Sequence, residues 1–325
     1  MTHRSFALVI NPVAGGGKPA RYLPQVIAVL DAEGTDYSVR ESTSLEHAQA
    51  LAAAAARRGD TVVAFGGDGL TGALVGAVAR ETAVQKAGTR ETVGDTEGES
   101  HGGNFGIIPA GRGNDFARTL RIPFDPIAAT RVLLAGRLQQ VDLIAVTDAA
   151  TQSAPTMVAG SIYVGIASVA NEIANRAKLI RGPAVYNLAA LRALLGWKPT
   201  TFCVEATTAD GQQATTEFRG YAVVVANCPF FGAGMKVAPD ALPTDGLLDI
   251  VIMRHAPKLT FVRVLLKIKD GTHIALSPVS TFRVKAARLT VDRALPVGAD
   301  GELLPVRAPL RIYPVHAALQ VIVPG

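Results

Sequence analysis

Residues 62–69 read VVAFGGDG and residues 106–118 read GIIPAGRGNDFAR, and these two stretches decide the fold. Each opens on β-branched and apolar residues with no polar alternation, the pattern of a parallel strand buried on both faces. Each then breaks into glycine, which lets backbone N–H groups come close to a ligand. Asp68 and Asp115 sit in these turns. A cradle for phosphate alone would not carry carboxylates, because like charges repel. Glycine together with aspartate points to a phosphate ligand handled with Mg²⁺, or to an aspartate that handles a hydroxyl proton. Both belong to phosphotransferase chemistry.

A third turn has the same form. Residues 6–10 (FALVI) read as a strand and run into NPVAGGGK, residues 11–18. Leu23, Val26, Ile27 and Leu30 then recur at helical spacing. A helix N-terminus offers free N–H groups to an anion, and Lys18 adds a positive charge. The turn is not a Walker A loop, since Pro19 follows Lys18 where Ser or Thr is required. Gly15, Gly17 and Ala20 match the dinucleotide fingerprint, but Asn11-Pro12 spoils the tight strand-to-helix junction that fingerprint needs. A dinucleotide oxidoreductase is therefore disfavoured.

The chain has 325 residues, 49% hydrophobic and 18% charged, enough for a large core and about two domains. Aromatic residues are few, at 6%, so basic residues interleaved with stacking rings, the mark of single-strand nucleic-acid binders, are missing. The net charge of +5 suits anionic partners such as nucleotides or an anionic membrane surface without demanding nucleic acid. Cys203 and Cys228 lie far apart in apolar surroundings and read as buried free thiols of a reducing compartment. The N-terminal apolar stretch is too short for a signal peptide, and no run reaches the ~18–20 residues of a membrane span. These features predict a cytoplasmic protein.

Strand and helix alternate through the first part of the chain. Residues 37–40, 62–65 and 105–109 read as further strands, and residues 45–58, 70–80 and 125–135 as helices. Alternation of this kind predicts a parallel sheet with helices on both faces. Residues 85–103, rich in Gly, Thr and Glu, read as a mobile surface loop. From about residue 141 short β-rich runs take over and predict an antiparallel sheet or sandwich, interrupted by helices at 168–177, 186–195 and 258–269. The helix at 258–269 mixes Leu, Val and Phe with basic residues. It reads either as a membrane-surface helix or as an ordinary helix packed on the sandwich.

The ordered set of motifs resembles the bacterial diacylglycerol kinase-type lipid kinases, which are related to sphingosine kinases and NAD kinases. It runs over nearly the whole length: NPVAGGGK, GGDG and PAGRGNDFAR, then ANEIANRAKLIRGPAVY, NCPFFGAGMKVAPDALPTDGLLDIVIM, DGTHIALSPV, ADGELLP and PLRIYPVHAALQVIVP. GGDG alone is shared with NAD kinases and phosphofructokinases; the ordered set is specific to the lipid-kinase branch. The resemblance implies an α/β fold. Residues 1–140, with 308–325 returning, would form a Rossmann-like, NAD kinase-like nucleotide domain. Residues 141–307 would form an antiparallel β-sandwich carrying the lipid site, with the active site between the two. It implies ATP and Mg²⁺, and a lipid alcohol met at the membrane surface by a peripherally associated enzyme. A homodimer is compatible with it.

The resemblance also assigns residues. Asn11, Gly15, Gly16, Gly17 and Thr43 would help hold nucleotide, as would Gly66, Gly67, Asp68, Gly69, Gly111, Arg112, Asn114 and Asp115. Asp68 would lie close to the transferring phosphate. Asp245 and Asp300 would belong to a Mg²⁺ network, and Glu302 or Asp68 would be the general base. Arg176, Lys178 and Arg181 would face the lipid. Simpler readings stand beside these. Asp115 could cap the next helix, Thr43 could cap the helix from Leu45, His47 could be structural, and Asp245 and Asp300, each before glycine, could be turn residues. The sequence departs from the family pattern at Leu70, Gly72, Ala73, Arg112 and Ala167, the last where an acid is expected. Arg112, Ala167 and the Gly72-Ala73 change raise one alternative, a nucleotide- or lipid-binding relative without turnover, and GGDG, shared with NAD kinases, permits another, a kinase of a soluble substrate.

Overall fold

The computed structural model describes residues 4–90, 103–151, 153–176 and 183–325. The chain divides into two compact units, Met1–Asp142 with His316–Gly325, and Leu143–Val315.

The first unit alternates β1 (Phe6–Ile10), α1 (Ala14–Ala32), β2 (Tyr37–Glu41), α2 (Leu45–Arg57), β3 (Thr61–Gly66), α3 (Asp68–Arg90) and β4 (Asn104–Pro109). After these come α4 (Asp115–Thr119), α5 (Pro126–Ala135) and the start of β5 (Arg137–Asp148). The strands pair in parallel in the order β2–β1–β3–β4. Every residue of β1 and β3 is buried, which is why both read as unbroken apolar runs. Strand order reverses between β1 and β3, so their C-terminal ends flank the switch point where open α/β sheets bind ligands. Asp125 caps α5, its carboxylate accepting the Ala128 N–H at 2.8 Å with Pro126 at the first helical position. Residues 85–90, expected in a loop, belong to α3, because the helix-forming run AVQKA carries the helix on. Residues 91–102 of that expected loop lie outside the described residues.

The second unit holds β6 (Thr156–Val158), β7 (Ser161–Gly165), α6 (Ile166–Arg176), α7 (Pro183–Gly196), β8 (Thr200–Thr208) and β9 (Gln213–Ala226). It continues with β10 (Phe230–Phe231), β11 (Met235–Lys236), β12 (Leu248–Arg254), α8 (Lys258–Ile268), β13 (Val279–Val291), β14 (Val297–Ala299), β15 (Glu302–Leu304) and β16 (Leu310–Val323). Its strand pairs are antiparallel. The long strands β9 and β13 both pair with β12 and with β8, which closes a ring of hydrogen-bonded strands. The ring removes exposed edges and encloses Phe202, Val204, Val223, Ile250 and Leu289, each at most 1% exposed. The last residues of β16, from His316, belong to the first unit and pair in parallel with its β4, Gln320 opposite Asn104. Cys203 and Cys228 are free thiols; Cys228 is buried, whereas Cys203 is half-buried on a strand that faces solvent on one side.

Candidate functional site

In the first unit, the turns after β1, β3 and β4 come together. Gly15, Gly16 and Gly17 all have positive φ, +58°, +78° and +80°, a left-handed run that only glycine adopts without strain. A Cβ on Gly15 would lie 2.6 Å from the Ala110 carbonyl oxygen. A Cβ on Gly67 would lie 2.9 Å from Gly111 Cα, and one on Gly111 would lie 2.4 Å from Gly67 Cα. At these glycines the three turns therefore approach one another backbone against backbone.

Asp68 ties two of the turns together. Its carboxylate accepts the backbone N–H of Asn114 at 2.7 Å and that of Asp115 at 2.7 Å. Those donors open α4, so the cap of this short helix comes from the GGDG turn and not from Asp115. Asn114 sits at φ +54°, with its side chain accepting the Gly111 N–H at 3.0 Å and donating to the Gly111 carbonyl at 3.2 Å. Burial, and then the neighbouring Asp115 carboxylate, push the Asp68 pKa up; the two N–H bonds pull against them. Each Asp68 oxygen keeps a further lone pair, so the group can still accept from a ligand.

The remaining predicted nucleotide contacts are placed as follows. Asn11 accepts the Val13 N–H at 3.2 Å within its own turn. Thr43 is exposed at the end of β2, its hydroxyl 3.1 Å from His47 Nδ1. Ser44, not Thr43, caps α2, accepting the His47 N–H at 3.1 Å. Gly69 lies in the first turn of α3. Arg112 is exposed and makes no hydrogen bond or ion pair among the described residues. Leu70, one of the departures, is 5% exposed and packs where a Cβ on Gly66 would lie 2.7 Å from its Cδ2. The missing side chain of Gly66 is what makes room for it.

In the second unit, Asp300 and Gly301 form a two-residue hairpin turn between β14 and β15, both with positive φ, +46° and +91°. This is the Asp-Gly geometry that matches strand twist. The Asp300 carboxylate accepts three successive backbone N–H groups, Ala159 at 3.0 Å, Gly160 at 3.1 Å and Ser161 at 2.8 Å. Asn171 of α6, unassigned in the sequence, donates to the Gly301 carbonyl at 2.8 Å and to the Tyr163 hydroxyl at 3.1 Å. Its only signal in the sequence was its place in ANEIANR. Gly298 leaves room for the Tyr163 ring, which a Cβ would meet at 2.2 Å, and burial drives the Tyr163 pKa well above its usual value.

Asp245 accepts the Leu247 N–H at 3.0 Å and pairs with Arg283. Arg283 also reaches Asp249 at 3.8 Å. That is too long for a hydrogen bond, so burial prevails, with Asp240 adding to it, and the Asp249 pKa rises to about 6. The oxygens of Asp245 and Asp300 that a Mg²⁺ network would use thus already face an arginine and backbone N–H groups. Among the described residues no three His, Cys, Asp or Glu are grouped to hold a metal. In this structure both residues are engaged by protein donors. The sequence could not show this, because Arg283 lies 38 residues from Asp245 and the 159–161 turn lies about 140 residues from Asp300.

Glu302 differs from these acids. It is exposed at the start of β15 and has no hydrogen bond or ion pair among the described residues. Its carboxyl is partly desolvated by its surroundings even so, which raises its pKa. Of the residues expected on the lipid side, Arg176 is exposed and paired with Glu172 at 2.9 Å along α6; Lys178 and Arg181 lie outside the described residues. Ala167 packs against the core of the second unit.

Parallel strands with glycine turns at their C-terminal ends, followed by an antiparallel unit, are the architecture to which comparison with known proteins gives a family. Residues 5–146 match the diacylglycerol kinase catalytic domain, and residues 160–323 match the YegS C-terminal NAD kinase beta sandwich-like domain. The chain belongs to this bacterial lipid kinase family. The diacylglycerol kinase of Mycobacterium tuberculosis (strain H37Rv) is 29% identical over 316 residues, 97% of this chain and 93% of that protein. That of Bacillus subtilis (strain 168) is 25% identical over 303 residues, 91% of this chain and 88% of its own. A crystal structure of a diacylglycerol kinase from Bacillus anthracis str. Sterne has the same fold, with a TM-score of 0.69 at 18% identity over 99% of this chain and 97% of that one. Among the described residues no helix is long and apolar enough to cross a membrane.

Proposed function

We propose that this kinase transfers the γ-phosphate of ATP to the hydroxyl of diacylglycerol or a related lipid, working as a peripheral protein on the cytoplasmic membrane surface. The observation that carries the reading is the close backbone approach of the turns at Gly15, Gly67 and Gly111, at the C-terminal ends of β1, β3 and β4 beside the switch point. Phosphoryl transfer is positioning plus charge stabilisation, and backbone unobstructed by Cβ atoms supplies the positioning. Asp68 holds the GGDG and GRGND turns in register and is assigned as a positioning residue. Thr43 and Arg112, exposed at the ends of β2 and β4, are assigned to the nucleotide.

Glu302 is assigned as the general base. An attacking hydroxyl must lose a proton to a carboxylate that is open to it, and one not already held by protein donors is the most open. Asp68, Asp245 and Asp300 already accept hydrogen bonds from the protein, and Glu302 does not. Its raised pKa also makes it a better proton acceptor than an ordinary glutamate. No step is assigned to Asp245 or Asp300.

Of the departures from the family pattern, Gly72 and Ala73 have no structural explanation, and two others are placed clear of the turns' backbone contacts. Leu70 fills space above Gly66, and Arg112 stands clear in solvent. The deciding experiment is transfer of labelled γ-phosphate to diacylglycerol, monoacylglycerol, ceramide, sphingosine and a polyprenol in mixed micelles. Transfer to diacylglycerol that disappears in Glu302→Gln supports the reading. ATP binding without transfer to any of the lipids overturns it.

A further inference from the structure

Helix α8 is built backwards for a helix in water. Its buried stripe is Phe261, Val264 and Ile268, at most 4% exposed. With about 100° per residue, the opposite pole falls on Leu259 and Leu266, which are 69% and 74% exposed. A solvated pole ordinarily carries charge. Here the charges stand on the flanks, Lys258 and Lys269 on one side and Arg263 and Lys267 on the other. Helix α7 repeats the arrangement: Leu188, Leu191 and Leu195 share one face at 52%, 52% and 64% exposure. Lys258 Nζ donates to the Leu195 carbonyl at 2.9 Å, so the start of α8 is tied to the end of α7 and the leucines of both helices lie on one part of the second unit. Residues 188–198 and 258–269 together contain six Lys and Arg and no Asp or Glu.

We propose that this leucine face is the membrane-docking surface of the protein, with an anionic lipid bilayer as its occupant. The leucines would enter the acyl boundary while the flanking cations meet lipid phosphates. Charge decides among the candidates. A second copy of the same face would set cation against cation, and a neutral apolar partner would leave the flanking charges unpaired. The proposal rests on the lipid-kinase reading for its purpose, but its test needs no turnover.

The test is flotation of the full chain, without ATP, with vesicles of phosphatidylcholine alone and of phosphatidylcholine with phosphatidylglycerol. The wild type is expected to float with the anionic vesicles and only weakly with the neutral ones. Leu259→Ser with Leu266→Ser is expected to lower anionic vesicle binding about tenfold or more. Arg263→Gln with Lys267→Gln is expected to lower it roughly fivefold per charge removed and to leave neutral vesicles unaffected. Leu266→Trp, which adds to the single native Trp197, is expected to shift its emission to the blue on anionic vesicles; this readout does not depend on a weakened variant. Binding that is unchanged in the leucine pair, or equal on both vesicle types, overturns the proposal. So does a dimer in gel filtration that the leucine pair dissociates, since a second copy would then be the occupant. Phosphorylation of a water-soluble short-chain diacylglycerol, measured in parallel, separates loss of docking from failure of the kinase reading.

Discussion

Two glycine turns, one in each unit, carry an aspartate with its carboxylate turned onto backbone N–H groups. Asp68 accepts two and Asp300 accepts three. Both sit in motifs that look catalytic in the sequence, and both fasten a neighbouring turn. Glu302, only two residues beyond Asp300, shares the hairpin but none of these bonds. The contrast shows that an acid in a glycine turn can serve as a clamp, and under the proposed function the acid without a protein donor among the described residues is the one assigned to move the proton. It also separates two kinds of variant: those that should lose the fold and those that should lose only the chemistry.

The largest effect tests the free acid. Glu302→Gln is expected to lower kcat by about 10²–10⁴-fold while the denaturant midpoint stays within about 0.5 kcal/mol of wild type. With Glu302 as base, kcat falls as pH drops through its raised pKa, so the acid limb of the rate profile should lie above the ordinary glutamate range and vanish in the variant. Activity retained in Glu302→Gln would move the base elsewhere and erase the contrast.

The clamps come next. Asp300→Asn replaces an acceptor of three N–H groups with a side chain that must turn an NH₂ toward some of them. It is expected to cost about 3 kcal/mol by urea unfolding, and Asp68→Asn somewhat less. Equal and negligible losses would show that neither acid is a clamp.

Asp249 supplies a pH-dependent test. Its folded pKa of about 6 lies above an unfolded value of about 3.9, so the folded state takes up the proton first. Stability contributed by this group therefore rises as pH falls from about 6 to about 4, and the cost of holding it charged is felt in full above pH 6. Asp249→Asn is expected to stabilise the protein by on the order of 2 kcal/mol at pH 7.5, with the gain gone near pH 4. A constant difference across that window would rule out the burial argument. The smallest expected effect is that of chelation. With Asp245 held by Arg283 and Asp300 by the 159–161 turn, EDTA should leave the Tm of the nucleotide-free protein unchanged. A rise in Tm on adding Mg²⁺ alone would restore a metal role to these acids.

Much of this was legible in the residues. The buried parallel strands, the three glycine turns and the antiparallel second half follow from periodicity and from glycine, because both are local properties of the chain. The helix at 258–269 and its basic content were also legible. The sequence could not show which leucines it buries, since helical spacing fixes a face and only the packing partner decides which way that face points. The turn roles of Asp245 and Asp300 before glycine were legible, but the distant partners of Asp68, Asp245 and Asp300 were not. Those distant partners are backbone N–H groups and an arginine 38 to 141 residues away, and backbone donors leave no trace in residue type.

The sequence by itself determined the fold class, the place of the glycine turns and the family, since apolar period and glycine act through near neighbours. Only the tertiary structure decided which acids accept backbone N–H groups that hold turns together and which one meets no protein donor among the described residues. A carboxylate's role depends on the donors within about 3 Å of it, and folding alone brings those donors there.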